Sequence, residues 1–128
     1  MLTSSAKAKG RRLMAEVRDI LIRRFGFSPD DITVTPSSLF GEDLLVAKAV
    51  RDILPLCWEG KNQEKMNIWD SLLQSQSHLK KDDTRKAILV FKRNRSDIYM
   101  SMKFEDFIDL IQKQNDTNQS NLSPVNNL

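Results

Sequence analysis

The sequence predicts a single α/β domain in which a central mixed β-sheet is flanked by helices, with the elements in the order α-β-β-α-β-β-α. A chain of 128 residues has room for one hydrophobic core. Its shares of 40% hydrophobic and 29% charged residues are those of ordinary globular proteins. Along the chain, segments with helical periodicity are separated by short segments that are either continuously apolar or alternate apolar with polar residues, as strands do. We place the domain at residues 1–114.

The first half of the chain begins with an amphipathic helix at residues 7–25, which Gly26 can end. Residues 31–35 show the β-branched alternation of a short strand, and residues 36–38 break that pattern. A loop then reaches Asp43. Residues 44–54 fit either a short helix or an extended connection.

The second half predicts a strand at 56–61, a helix capped by Asn67, and a hairpin of strands at 87–91 and 98–102. The continuous apolar run at 87–91 is typical of a central strand. A last helix follows the hairpin, and residues 115–128 read as a disordered polar tail. The residues expected on the apolar faces of these two helices are Ile68, Trp69, Leu72, Leu73 and Leu79, then Phe104, Phe107, Ile108 and Ile111.

Cysteine and histidine content restricts the kinds of metal site. Cys57 is the only cysteine and His78 the only histidine, so a disulfide, a cysteine-based zinc cluster and a multi-histidine site are excluded within one chain. A metal would be held mainly by oxygen ligands, which favours Mg²⁺, with Mn²⁺ as a substitute. We expect His78 to be a surface residue. No apolar run is long enough to cross a membrane, so we expect a cytoplasmic protein.

The net charge of +3 is unevenly distributed. Residues 1–24 carry seven basic and two acidic side chains, and residues 80–95 carry the same numbers. Residues 25–60 between them carry six acidic and two basic side chains. Two basic segments that flank an acidic one suit an enzyme that grips a phosphate backbone and holds cations at its centre. The expected DNA-binding residues are Lys7, Lys9, Arg11, Arg12, Lys92, Arg93 and Arg95.

Glu59-Gly60-Lys61 is the tripeptide with the clearest chemistry. On a strand, side chains alternate, so Glu59 and Lys61 project from the same face. Asp43 ends the preceding loop and can approach Glu59. Two carboxylates can hold a divalent cation, and a lysine can orient water or stabilise developing negative charge. Taken by itself, Glu-x-Lys also occurs as an ordinary surface ion pair.

The Gly-Glu-Asp loop followed by Glu-x-Lys on a strand resembles the motif of the PD-(D/E)XK nuclease superfamily, whose fold is restriction-endonuclease-like. Within it the chain is most similar to archaeal-type Holliday junction resolvases and small phage endonucleases, from Lys9-Gly10 to about Ile111. The resemblance implies Asp43, Glu59 and Lys61 as catalytic residues and Asp43 and Glu59 as metal ligands. Glu42 stands where the family has Pro or an apolar residue and is a rival ligand.

Several other residues fall where the resemblance places functional groups. Glu16 is the nearest candidate for a metal-proximal glutamate on the first helix, although Met14 occupies the matching position. Ser37 and Ser38 match a loop that approaches DNA, and Gln74 and Gln76 lie on the helix after Lys61. Each also has an ordinary structural interpretation. The aromatic residues Trp58, Trp69 and Tyr99 are expected to belong to the core.

Together these features predict a Mg²⁺-dependent endodeoxyribonuclease that cuts branched or structured DNA. The resemblance implies a symmetric homodimer, because both strands of a junction must be nicked. Two alternatives remain: a site-specific endonuclease of the homing or restriction type, and a DNA-binding protein that keeps the fold without cutting. No membrane partner is expected.

Overall fold

A computed structural model describes residues 4–36 and 40–120 as a small α/β domain. The first helix, α1, spans Ser4–Phe25 and ends where Gly26, at φ 72°, donates a backbone hydrogen bond to Ile22. Its apolar stripe is buried against the sheet, and the buried members are Leu13, Met14, Val17 and Leu21. This stripe and the strands below it form the core.

The segment after α1 forms a two-stranded antiparallel sheet. A single 3₁₀ turn at Pro29–Asp31 leads into β1 (Ile32–Val34), which pairs with β2 (Leu44–Val46). A one-turn helix, α2 (Lys48–Arg51), follows and buries Val50. The ambiguous segment 44–54 therefore contains both a strand and a short helix, which adds two elements to the predicted order.

The second sheet is mixed, as predicted, but the predicted strand at 31–35 lies outside it, in the two-stranded sheet. The strand β3 (Leu56–Asn62) runs parallel to β4 (Lys86–Lys92), and β4 pairs antiparallel with β5 (Tyr99–Ser101), which confirms the predicted hairpin. The apolar run of β4 is buried at every position from Ala87 to Val90. The helix α3 (Ile68–Ser77) connects β3 to β4, and the Asn67 side chain accepts a hydrogen bond from Asp70 N, as a cap should.

The predicted apolar face of α3 is wrong at two positions, although Ile68, Leu72 and Leu79 are half-buried. Trp69 and Leu73 are exposed, whereas Ser71 and Ser75 are buried. Because the α3 face toward β4 carries small residues, the helix can lie close to the strand, and Ser75 Oγ donates its hydrogen bond to Leu72 O within the helix. Apolar periodicity identified the helix but not the side that packs.

The last helix, α4, spans Phe104–Ser120 and also departs from expectation. It includes residues 115–120, which composition had assigned to the tail, and the predicted apolar residues Phe104, Phe107, Ile108 and Ile111 are all exposed. Its attachment to the domain includes ion pairs from Lys86 to Asp106 and Asp109. None of the helices in the described part of the chain has the length and apolarity needed to cross a membrane.

Aromatic residues divide between core and surface. Trp58 on β3 is buried as expected, but Trp69 and Tyr99 are exposed. Tyr99 stacks on Phe91 of the adjacent strand, with ring centroids 6.1 Å apart. The expectation of a core role therefore holds for Trp58 and is wrong for the other two.

Candidate active site

Asp43 joins the two sheets. It directly precedes β2, and its backbone N donates a 2.7 Å hydrogen bond to Trp58 O on β3. Its side-chain Oδ2 accepts a 2.8 Å hydrogen bond from Gly60 N. The backbone of β3 therefore positions both the main chain and the carboxylate of Asp43. Gly60, which holds the carboxylate, lies between Glu59 and Lys61 in sequence.

Glu59 and Lys61 lie on the same face of β3, as strand alternation predicts. Lys61 Nζ is 3.9 Å from Glu59 Oε1, and the two side chains are only 11% and 5% exposed. Burying two charged groups to this extent costs free energy unless each has a hydrogen-bonding or oppositely charged partner. Glu59 Oε2 has no hydrogen-bond partner of acceptable geometry among the described residues, so this carboxylate keeps unsatisfied acceptor capacity.

Gly60, between them, is required by close packing. A Cβ at Gly60 would lie 2.8 Å from Met14 Cγ and closer still to Met14 Sδ, well inside van der Waals contact. The residue at the centre of the tripeptide thus lets α1 lie directly against β3. This approach brings α1 to the side of the candidate site.

A cavity of about 240 Å³ opens at this junction of α1, the loop before β2, β3 and α3. Asp43, Glu59 and Lys61 all line it, together with Lys7 and Arg11 of α1. Lys7 and Arg11 are one helical turn apart and so share a face. The cavity combines two carboxylates with three cationic side chains.

Burial changes the acidity of both carboxylates. Burial first, and then the nearby Asp43 carboxylate, raise the pKa of Glu59 to about 8, while Lys61 acts in the opposite direction. Burial also raises the pKa of Asp43, although the Gly60 amide, His78 and Lys61 favour its ionised form. Two carboxylates that disfavour each other's charge form a site that a bound cation would stabilise.

His78 belongs to the site, contrary to the expectation that it is a surface residue. It follows α3, lines the cavity, and its Nε2 lies 2.8 Å from Glu59 Oε2. This contact does not have hydrogen-bond geometry, and neither atom has another hydrogen-bond partner among the described residues. The helical spacing of Gln74 and His78 could have indicated that they face the same way, since Gln74 also lines the cavity.

Glu42 points away from the cavity. Its carboxylate pairs with Arg85 at the start of β4, at 2.7 Å from Oε2 to Nη1 and 3.3 Å from Oε1 to Nη2. Asp83 holds the same guanidinium through a further ion pair at 2.8 Å. Cys57 lies beside this cluster, and burial and then the Glu42 charge raise the pKa of its thiol to about 12. Of the two adjacent acids, Asp43 is the one that faces Glu59.

The structure separates the other candidate residues. Glu16 is exposed on α1 and does not line the cavity, whereas Met14 does. Gln76 is half-buried and lies outside the cavity lining, unlike Gln74. Ser37 and Ser38 lie outside the described residues.

The expected DNA-binding residues form two groups. On α1, Lys7 and Arg11 line the cavity and Arg12 lines a shallow depression beside it, while Lys9 is half-buried. The second group lies at the hairpin. Lys92 ends β4 opposite Asn62, and Arg93 and Arg95 are exposed in the hairpin turn, where Arg95 adopts φ 63°. Arg85 and Lys86 of the second basic segment are engaged in ion pairs instead.

A hard cation fits the residues of this cavity. Among residues 4–36 and 40–120 no group of three or more His, Cys, Asp or Glu side chains is arranged to hold a metal ion. Mg²⁺, however, commonly takes one or two protein carboxylates and completes its shell with water and substrate phosphate. Asp43 and Glu59, with the unsatisfied Glu59 Oε2, meet that smaller requirement.

Comparison with known proteins adds no relative to this picture. No protein-family model matches the chain, and neither the curated proteins nor the solved structures searched contain a match.

Proposed function

We propose that this protein is a Mg²⁺-dependent endodeoxyribonuclease of the PD-(D/E)XK type that cuts branched or otherwise structured DNA. The observation that carries the proposal is the cavity itself. It gathers Asp43, Glu59 and Lys61, from separate parts of the chain, beside Lys7 and Arg11. A salt bridge with only a structural role would not require a buried and a half-buried carboxylate facing an open, cation-lined cavity.

The order of the elements supports the nuclease assignment. The PD-(D/E)XK motif pairs an acidic residue near the start of one strand with Asp/Glu-x-Lys on the next. Here Asp43 directly precedes β2, and Glu59 and Lys61 lie on β3, the next strand. The Gly60–Asp43 hydrogen bond brings the two halves of the motif together. These relationships are consistent with a restriction-endonuclease-like fold.

Each residue has a distinct role in the proposed hydrolysis. Asp43 and Glu59 would hold the cation, which neutralises charge on the scissile phosphate and makes its bound water more acidic. Lys61 is held at the cavity wall near Glu59, where its ammonium can orient the attacking water or stabilise the phosphate as negative charge develops. The water oxygen would form the new bond to phosphorus as the bond to the leaving sugar oxygen breaks, with the water losing a proton to solvent and the leaving oxygen taking one up from solvent.

The cationic side chains would bind the DNA backbone. Lys7 and Arg11 line the same cavity as the carboxylates and can contact non-bridging oxygens of the cleaved or adjacent phosphate. Lys92, Arg93 and Arg95 lie at the end of β4 that pairs with Asn62, a residue of the cavity lining. Contacts to the backbone respond to the shape of DNA rather than to its sequence, which favours a structured substrate.

Cleavage of a DNA panel tests this function. The wild-type protein should cut a four-way junction in Mg²⁺, and Glu59→Gln and Lys61→Met should each lower the rate by at least ~10²-fold while junction affinity changes by less than about threefold. Glu16→Gln is the matched control, because it neutralises an exposed carboxylate of α1 outside the cavity. Equal cleavage by wild type and Glu59→Gln would refute the proposal.

The same panel separates the alternatives. Discrete cuts in linear duplex would favour a site-specific endonuclease, which must read base edges in the major groove. Junction binding without any cleavage would favour a non-catalytic DNA-binding protein. Cutting both strands of a junction requires two sites, so we expect a homodimer, and light scattering during gel filtration measures that state directly.

A further inference from the structure

Phe40 is an aromatic side chain at the mouth of the candidate site. It lines the same cavity as Asp43, Glu59 and Lys61, yet it is fully exposed. Other aromatics of this domain, such as Trp69 and Phe104, are exposed as well, but they do not line the cavity. Because Phe40 borders a cavity that contains charged side chains, its ring is placed to contact whatever enters that cavity.

The stem of the loop that carries Phe40 is anchored. Thr35 N donates a 3.0 Å hydrogen bond to Asp43 O, and Thr35 Oγ1 donates a 2.6 Å hydrogen bond to Glu42 O. The Glu42 side chain is in turn paired with Arg85. Phe40 is two residues from Glu42, which these contacts anchor. Its ring lines the cavity together with Asp43 and Glu59.

The chemistry around Phe40 selects one kind of ligand. A phosphodiester that reaches the carboxylates between Lys7 and Arg11 brings its own nucleobases to within a few ångströms of the cavity rim. An aromatic ring stacks on any base, but only where the base is unpaired or unstacked and exposes its face. Regular duplex DNA conceals these faces.

We propose that Phe40 stacks on an unpaired base next to the scissile phosphate and gives the protein its preference for DNA with locally opened pairing. The inference rests on the proposed nuclease function and names its substrate class: DNA with single-stranded, flapped or junction-type distortion at the cut. Phe40 acts as a specificity-determining residue and takes no part in the bond-making step.

Binding without cleavage tests the inference separately from catalysis. Fluorescence anisotropy of the full-length protein, in EDTA, would compare a labelled single-stranded oligonucleotide with a fully paired duplex of the same length. Phe40→Ala and Phe40→Leu should weaken single-strand binding by roughly tenfold, and Phe40→Tyr should retain it, because stacking needs an aromatic face. Duplex affinity should change by less than about twofold.

A matched control is available on α3. Trp69 is also an exposed aromatic, but it does not line the cavity, so Trp69→Ala should leave single-strand binding unchanged. A 2-aminopurine base in the oligonucleotide should be quenched by the wild type and by Phe40→Tyr and not by Phe40→Leu. That spectroscopic signal depends on stacking rather than on stability, and circular dichroism verifies that each variant is folded.

Three outcomes would overturn the inference. They are the absence of single-strand binding by the wild type, wild-type affinity in Phe40→Ala, and equal losses of single-strand and duplex affinity. Failure of the nuclease proposal looks different: the Phe40 effect on binding would persist in EDTA while Mg²⁺ produced no cleavage of any substrate.

Discussion

The amide of Gly60 donates a 2.8 Å hydrogen bond to Oδ2 of Asp43. The middle residue of the Glu-Gly-Lys tripeptide thereby holds the other acid of the motif. Since the donor belongs to the backbone of β3, the position of the Asp43 carboxylate is coupled to the same strand that presents Glu59 and Lys61. A shift of that strand would move all three groups together.

Replacing Asp43 should separate its structural role from its chemical one. Asp43→Asn keeps an oxygen that can accept the Gly60 hydrogen bond but removes the charge, so we expect a folded protein with little change in Tm and no Mg²⁺-dependent cleavage. Asp43→Ala leaves the Gly60 amide without this partner and should also lower the free energy of unfolding by about 1 kcal/mol. Thermal unfolding and junction cleavage measure the two effects. Mg²⁺-dependent cleavage by Asp43→Asn would show that the Asp43 carboxylate is not a required metal ligand.

Adding one methyl group at Gly60 should destabilise the domain. Gly60→Ala would place its Cβ 2.8 Å from Met14 Cγ and against Met14 Sδ, and the overpacking should lower the free energy of unfolding by about 1–3 kcal/mol. Gly10→Ala is the control, because the nearest atom to its added Cβ is Gly60 O at 3.9 Å. Urea denaturation compares the two. Similar stabilities would contradict the proposed contact, and Met14→Ala should restore part of the loss in a double mutant.

Metal binding and stability should depend on pH in opposite directions. With its pKa raised from 4.5 to about 8, Glu59 holds a proton in the folded, metal-free protein that it has lost in the unfolded chain. Folded protein then binds more protons between these values, so stability in EDTA falls as pH rises through that window, by roughly 1–3 kcal/mol between pH 5 and 8. The contribution of Glu59 to stability is greatest below 4.5, the pKa of this carboxyl in the unfolded chain. Asp43, whose pKa is also raised, contributes in the same direction.

Affinity for Mg²⁺ should instead increase toward pH 8, because the ligand must lose its proton before it binds the ion. Calorimetric titration at several pH values measures this increase together with proton release. Glu59→Gln should flatten the pH dependence of stability and abolish the release. A wild-type protein whose stability in EDTA rises steadily from pH 5 to 8 would show that Glu59 is ionised in the fold.

Glu42 should prove dispensable for catalysis. Its carboxylate is paired with Arg85 and faces away from the cavity, so Glu42→Gln should keep cleavage within about threefold of wild type while lowering the free energy of unfolding by roughly 1–2 kcal/mol. Arg85→Met should produce a larger loss of stability, because it leaves both Glu42 and Asp83 without the guanidinium. A loss of Mg²⁺ affinity in Glu42→Gln, comparable with that of Asp43→Asn, would reassign the ligand.

The sequence was most informative where the signal is local. The buried run of β4, the cap at Asn67 and the alternation of Glu59 with Lys61 all follow from the geometry of a single element, and the structure contains each of them. Apolar periodicity failed for α3 and α4 because it records which residues share a face and not whether that face meets a neighbour. Trp69 on α3 and Phe107 on α4 each belong to an apolar face, and both side chains are exposed.

By itself, the sequence determined the types of the main elements and the residue constellation of Asp43, Glu59 and Lys61, since both depend on spacing along the chain. Tertiary structure alone paired Glu42 with Arg85 and placed Asp43 in the cavity, brought His78 to 2.8 Å from Glu59, and left Phe40 at the mouth of the cavity. Those outcomes depend on the directions of side chains that are distant in sequence. Such directions are set by packing between elements, such as the contact of Met14 with Gly60, which no local pattern encodes.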